Sequence, residues 1–225
     1  MTINAAAMWL NSVFGGFDLA VSVFIHKLYE LGGGFFTPFF EFISFLLGNG
    51  GAIVIAAAVL LLLFKKTRRV GTAMAIALAI GAILTNAFLK VVIARPRPFS
   101  EYMRGICDQY YNMWLQVGQN LESDKSFPSG HACAAFGSMT AVFMQCNKKV
   151  SWTALVFAFL VGLSRIYLCV HFPTDVIGGM IVGTIAGVSG TFIARALPTA
   201  WYEGWDFPPS RGRKKSKKKG GKHLC

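Results

Sequence analysis

Between Ser164 and Asp175 the chain reads Ser-Arg-Ile-Tyr-Leu-Cys-Val-His-Phe-Pro-Thr-Asp, setting an arginine, a histidine and an aspartate where one apolar run ends and another begins. Ionisable groups beside hydrocarbon carry a free-energy penalty and are tolerated mainly where they serve a function. His171 and Asp175 are four residues apart, which on a helix means one face and contact distance. A carboxylate beside an imidazole fixes its tautomer and stabilises its charged form, as a nucleophile or base requires. The same residues also suit an ordinary polar loop at the level of lipid headgroups. This stretch alone does not separate the two readings.

Two further stretches carry the same kind of residue. Phe127-Pro128-Ser129-Gly130-His131 opens an apolar run, and a helix start of this composition offers free backbone N–H groups to an anion. Gly130 lets that anion approach the backbone closely; a plain helix start with an interfacial His131 is the alternative. Lys90 lies seven residues before Arg97, but Pro96 and Pro98 stop the helix, so Arg95 and Arg97 sit on a stiff, extended exit. Lys90 alone reads equally well as a snorkelling side chain. Arg165 adds a planar fork matched to phosphate oxygens. Lys90, Arg97 and Arg165, the Ser129–Gly130 amides, His131, and His171 beside Asp175 together suit a single chemistry, in which a phosphate is bound and attacked and its leaving group protonated. No His, Cys, Asp or Glu cluster has metal-ligand spacing, so no metal and no cofactor is expected, and the cations take the charge-neutralising role metals have elsewhere.

The elements that must position these groups are apolar. Of 225 residues, 54% are hydrophobic and 14% charged, against about 25% charged in soluble domains. Apolar segments at 35–64 (bent, with Pro38 and a Gly-rich break at 48–51), 70–94, 129–146, 152–168 and 176–197 read as membrane spans. Residues 4–31 read either as a further span or as an interfacial amphipathic helix, because Asp18, His26, Lys27 and Glu30 interrupt the apolar pattern. The expected fold is an all-α polytopic membrane helix bundle of five or six transmembrane helices. Its parts would be an N-terminal helix at 1–34, a core at 35–200 with an extracytoplasmic loop at 95–127, and a basic tail at 201–225. Gly179, Gly183 and Gly187, at four-residue steps, form a stripe for close helix packing.

The net charge is +12, and eight basic residues fall between Arg211 and Lys222. Lys65–Arg69, Lys148-Lys149 and the tail would share one side of the membrane, the cytoplasmic one by the positive-inside rule. The 95–127 and 165–175 stretches then meet on the extracytoplasmic face of a multi-pass cell-membrane protein. The tail reads as a disordered segment attracted to anionic lipids, and no folded nucleic-acid module accompanies it. Five cysteines show no paired spacing.

Lys90 and Arg97-Pro98 with six residues between them, then Pro128-Ser129-Gly130-His131, then Ser164-Arg165 and His171 with five residues between them and Asp175 after three more intervening residues, form a three-part signature. It resembles that of the type 2 phosphatidic acid phosphatase (PAP2) superfamily, in its bacterial integral-membrane branch. The resemblance implies a metal-independent lipid phosphatase. Lys90, Arg97, Arg165, Ser129 and Gly130 would hold the phosphate, His171 would attack phosphorus with Asp175 orienting it, and His131 would protonate the departing oxygen. Vanadium haloperoxidases share the constellation but are soluble. Undecaprenyl diphosphate, phosphatidic acid, phosphatidylglycerol phosphate and diacylglycerol pyrophosphate are all compatible substrates. A phosphotransferase with the same phosphohistidine, or a non-catalytic lipid-binding or transport protein, is the alternative.

Overall fold

In the computed structural model, residues 4–203 other than Ser123 are described, and their regular structure is helical throughout. The expected basic tail, beyond Glu203, lies outside the described residues. In chain order the helices are α1 (Ala5–Gly32), α2 (Thr37–Phe45), α3 (Gly48–Leu63) and α4 (Arg68–Ala82), which runs on through a π-helix (Ile83–Leu89) into α5 (Lys90–Ile93). After them come α6 (Glu101–Arg104), α7 (Asp108–Gln116), α8 (Gly130–Gln145), α9 (Lys148–Tyr167), α10 (Pro173–Ala196) and α11 (Thr199–Glu203).

Three helices, Ala5–Gly32, Arg68–Ile93 and Pro173–Ala196, are long and apolar enough to cross a membrane, with mean hydropathies of 1.5, 2.2 and 1.8, and Gly51–Leu63 and Ser151–Tyr167 are shorter apolar helices. Phe88, Val91, Phe159, Ile181, Ile185 and Phe192 point outward and are exposed. So large an apolar surface needs hydrocarbon around it. The protein is an all-α membrane helix bundle.

One open reading narrows and one expectation changes. The N-terminal segment forms one uninterrupted helix, Ala5–Gly32, of 28 residues, longer than the ~20 a crossing needs; Asp18 sits within it with its carboxylate fully buried and ion-paired. The 35–64 segment is not one bent span but two helices parted at Leu46-Leu47, with Pro38 in the first turn of α2. The glycine run at 48–51 falls inside the start of α3. On α2, Phe39, Phe42 and Phe45 are exposed.

The centre of the bundle is set by α10. A Cβ on Gly179 would stand 2.5 Å from the Ser129 carbonyl oxygen, one on Gly183 2.4 Å from that of Cys133, one on Gly187 2.5 Å from that of Gly137, and one on Gly190 2.6 Å from that of Ala73. The glycine stripe therefore presses α10 directly on the backbones of α8 and α4. At one end of the bundle, the long connection folds into α6 and α7 and builds a second core with residues 167–172. Tyr110 meets Phe172 edge-on at 5.1 Å, Phe40 stacks on Tyr167 at 4.3 Å, and Trp114 and Val117 are buried there. Gly183→Ala should therefore destabilise the bundle by about 1–3 kcal/mol, read as a lowered melting temperature in detergent. Gly15→Ala, which meets nothing within 4 Å, should not lower it.

Candidate active site

Four of the sequence-selected side chains reach one cavity of about 250 Å³: Lys90, Arg97, His131 and His171, with Gly130, Thr85, Asn86, Glu122 and Asp124 also lining it. Each arrives from a different local structure. Lys90 follows the π-helix, an arrangement whose extra backbone residue re-aims the side chains beyond it. Ala94 takes a left-handed conformation at the end of α5, so the chain leaves the helix before Pro96 as the prolines require. That exit carries Arg97 inward. Gly130 is the first residue of α8, and a Cβ there would lie 3.8 Å from Lys90 Nζ. Ser129 caps α8, its hydroxyl accepting from the Ala132 N–H at 3.4 Å.

His171 and Asp175 do not share a helical face, because His171 precedes the first turn of α10. They meet through the capping of that turn instead. The Asp175 carboxylate accepts the Phe172 N–H at 2.9 Å, as an acidic residue at the third helical position does, and this folds His171 back until Nδ1 is 3.6 Å from Asp175 Oδ2. Between them lies Ser126, whose hydroxyl is 3.4 Å from His171 Nδ1 and donates to Asp175 Oδ2. The backbone carbonyl of Asp175 accepts the Ser129 N–H at 2.9 Å. The start of α8 is thus docked on the start of α10.

The tautomer of His171 follows from its neighbours. Arg97 Nη1 lies 3.2 Å from Nε2, and a guanidinium only donates. Nε2 therefore accepts, and in the neutral ring the proton sits on Nδ1, facing Ser126 and Asp175. Burial, followed by the charges of Arg97, Arg165 and Lys90, holds the His171 pKa well below the ordinary imidazole value. At neutral pH the ring presents an unprotonated Nε2.

The cations are not bare. Lys90 and Arg97 both pair with Asp124, and Arg97 Nη2 is also 3.5 Å from Glu122. Arg165 is buried and does not line the cavity; it binds Glu122 and the Ser44 hydroxyl, while its Nε has no hydrogen-bond partner among the described residues. Burial would raise the Asp124 pKa, but the hydrogen bond from Lys90 and the charges of Arg97 and Lys90 outweigh it and hold it below the usual range. Two carboxylates thus occupy the donors that an anionic group in this cavity would need.

Beyond the sequence-selected set, the site contains Ser126, Glu122, Asp124 and Arg95. Arg95 Nη1 donates to Asp175 Oδ1 at 2.7 Å on the side away from the cavity. The two acids sit in a long polar loop, where charge is commonplace. Arg95 carried a readable signal, a fixed charge at the end of an apolar span, but nothing local pointed it at Asp175.

A family model described as the PAP2 superfamily matches residues 67–200. The undecaprenyl-diphosphatase of Sulfolobus acidocaldarius is 32% identical over 54% of this chain and 53% of its own length. That of Bacillus subtilis is 31% identical over 48% and 50%. The lipid A 4'-phosphatase of Bacteroides thetaiotaomicron is 31% identical over 56% and 54%. The chain spans about half the length of these relatives. Replacing Glu122 by Gln together with Asp124 by Asn should tighten binding of inorganic phosphate on the order of tenfold, the scale of a few partly exposed ion pairs. Isothermal titration calorimetry on the detergent-solubilised protein measures it, and weakened binding would contradict competition between these acids and the anion.

Proposed function

From its membership of the PAP2 superfamily, to which the chain belongs over residues 67–200, we propose that this membrane protein hydrolyses the terminal phosphate of a lipid phosphate or diphosphate through a phosphohistidine. The observation that carries the reading is the convergence of Lys90, Arg97, His131 and His171 on one cavity, with the unprotonated Nε2 of His171 beside a cation and its Nδ1 side backed by Ser126 and Asp175.

In this mechanism the phosphoryl group displaces Glu122 and Asp124 from the cations. Lys90 and Arg97 then neutralise its oxygens, and Arg165, released from Glu122, adds its charge. Gly130 at the start of α8 offers the backbone donor there, since the Ser129 N–H is held by the Asp175 carbonyl. His171 Nε2 attacks phosphorus, the N–P bond forms, and the P–O bond to the lipid breaks. His131 protonates the departing oxygen. Water then attacks the phosphohistidine, His131 takes its proton, and phosphate leaves as His171 is restored. Asp175 stabilises the imidazolium character of the intermediate, since the ring keeps its Nδ1 proton throughout.

A cavity of about 250 Å³ falls below the range of sites that enclose a whole drug-sized ligand. It suits a headgroup, with the lipid tail outside. Leu47 just before α3, Ile55 of α3 and Leu78 and Ala82 of α4 line the cavity's apolar flank, which supports a substrate held by its chain in the bilayer. The names of the relatives favour undecaprenyl diphosphate, with phosphatidic acid and phosphatidylglycerol phosphate as competitors. The positive-inside rule supports several crossings, a site opening on the extracytoplasmic face and a cytoplasmic tail near anionic lipids.

Purified protein in detergent should release inorganic phosphate in the presence of a chelator, fastest from undecaprenyl diphosphate in a panel with phosphatidic acid and phosphatidylglycerol phosphate. His171→Ala should lower turnover by at least roughly a thousandfold, the scale of losing a nucleophile. Activity that a chelator abolishes and Mg²⁺ restores would overturn the mechanism, as would a His171→Ala enzyme with wild-type turnover.

A further inference from the structure

Behind the His171–Asp175 pair, on the side away from the cavity, lies a second layer of charge. Arg95 and Asp18 are both fully buried. Arg95 divides its guanidinium among four partners: Asp175 Oδ1 at 2.7 Å, Asp18 Oδ2 at 2.7 Å, Thr174 Oγ1 at 2.8 Å and Asn11 Oδ1 at 2.8 Å. Asp18 also accepts the Thr174 N–H at 2.9 Å and the Thr174 hydroxyl at 2.8 Å. The Phe172 ring covers the guanidinium at 3.9 Å. Asp18 and Asn11 come from α1, outside the segment the family model matches.

We propose that Asp18 and Arg95 are positioning residues for the nucleophile, through which α1 fixes the orientation and charge of Asp175. This rests on the reading of His171 as the group that becomes phosphorylated. Arg95 grips the Asp175 oxygen that faces away from His171, while Ser126 and the Phe172 N–H hold the other. Both carboxylate oxygens are thereby fixed, and the plane of the carboxylate is set relative to the Nδ1 proton. The charge count is equally specific. Asp18, Arg95 and Asp175, all fully buried, sum to minus one. When His171 Nε2 takes the phosphoryl group and Nδ1 keeps its proton, the ring becomes cationic, and that single negative charge opposes it at short range. Without the Asp18 carboxylate, Arg95 cancels Asp175 and the cationic ring loses its counter-charge. A latch serving only to hold α1 in place needs no charges there, since a buried ion pair is a poor source of stability compared with apolar contacts of the same volume.

The test follows phosphohistidine formation after an alkaline quench, beside steady-state kinetics and melting temperature, in the full-length protein with a ³²P-labelled lipid diphosphate. Asp18→Asn should slow phosphohistidine formation and kcat together, by roughly ten- to a hundredfold, with KM within about twofold of wild type. Asp18→Glu, which keeps the charge, should recover most of that loss. Should Asp18→Asn fail to fold, Asn11→Ala carries the same test: it removes an Arg95 acceptor and no charge, and should slow the same step by a few-fold. If the wild type forms phosphohistidine and Asp18→Asn (or, in its place, Asn11→Ala) forms it at the wild-type rate, or if only melting temperature or KM changes, the positioning role is overturned. A wild type that turns over with no phosphohistidine removes the nucleophile reading itself, and this proposal with it.

Discussion

The Asp175 carboxylate is the point on which the described structure converges. Its two oxygens accept from Arg95, Ser126 and the Phe172 N–H, and its backbone carbonyl accepts from Ser129. Through these four donors one buried anion ties together the exit from α5, the start of α8, the start of α10 and, by way of Arg95, the N-terminal helix. A buried carboxylate tolerates this position only because both of its oxygens have partners. The same requirement makes the local structure over-determined. No one of these segments can shift without leaving a buried polar group unsatisfied.

A second constraint is electrostatic. Lys90, Arg97 and Arg165 lie within one small volume at the edge of a hydrocarbon-facing bundle, and unpaired they would repel one another and lose hydration. Glu122 and Asp124 offset that cost from a loop, not from the helices. The cations are held by helices and a stiff proline exit and the compensating acids by a connecting loop, an asymmetry that suits exchange of one anion for another. The aromatic cluster of Phe99, Tyr110, Trp114 and Phe172 anchors the connection that leads into this loop, so the acids hang from a firm support.

Much of this was legible in the chain. Helical class follows from apolar run lengths, and the stripe of Gly179, Gly183 and Gly187 was readable as a packing face because four-residue spacing survives in any straight helix. Lys90, Arg97, His131 and His171 could be grouped because proline and charge at the ends of apolar runs are local signals. Asp18 left the N-terminal segment open between span and amphipathic helix, since its partner Arg95 is 77 residues away and a sequence pattern carries no such distance. The His171–Asp175 contact was expected from helical periodicity but arises from a cap, which has the same spacing and a different geometry. Ser126 had no signal of its own. Its place between ring and carboxylate is fixed by the backbone bond from its N–H to the Arg95 carbonyl at 2.8 Å.

The apolar flank of the cavity, between Leu47 and Ile55 on one side and Leu78 and Ala82 on the other, bears on how concentration should be counted. A lipid phosphate reacting here would arrive along the plane of the bilayer, so its supply is a mole fraction among lipids and its encounters are two-dimensional. Saturation would then respond to surface dilution by inert lipid or detergent at constant bulk concentration. Released inorganic phosphate, by contrast, leaves into three dimensions. Substrate and product would therefore obey different mass-action scales at the two ends of one turnover.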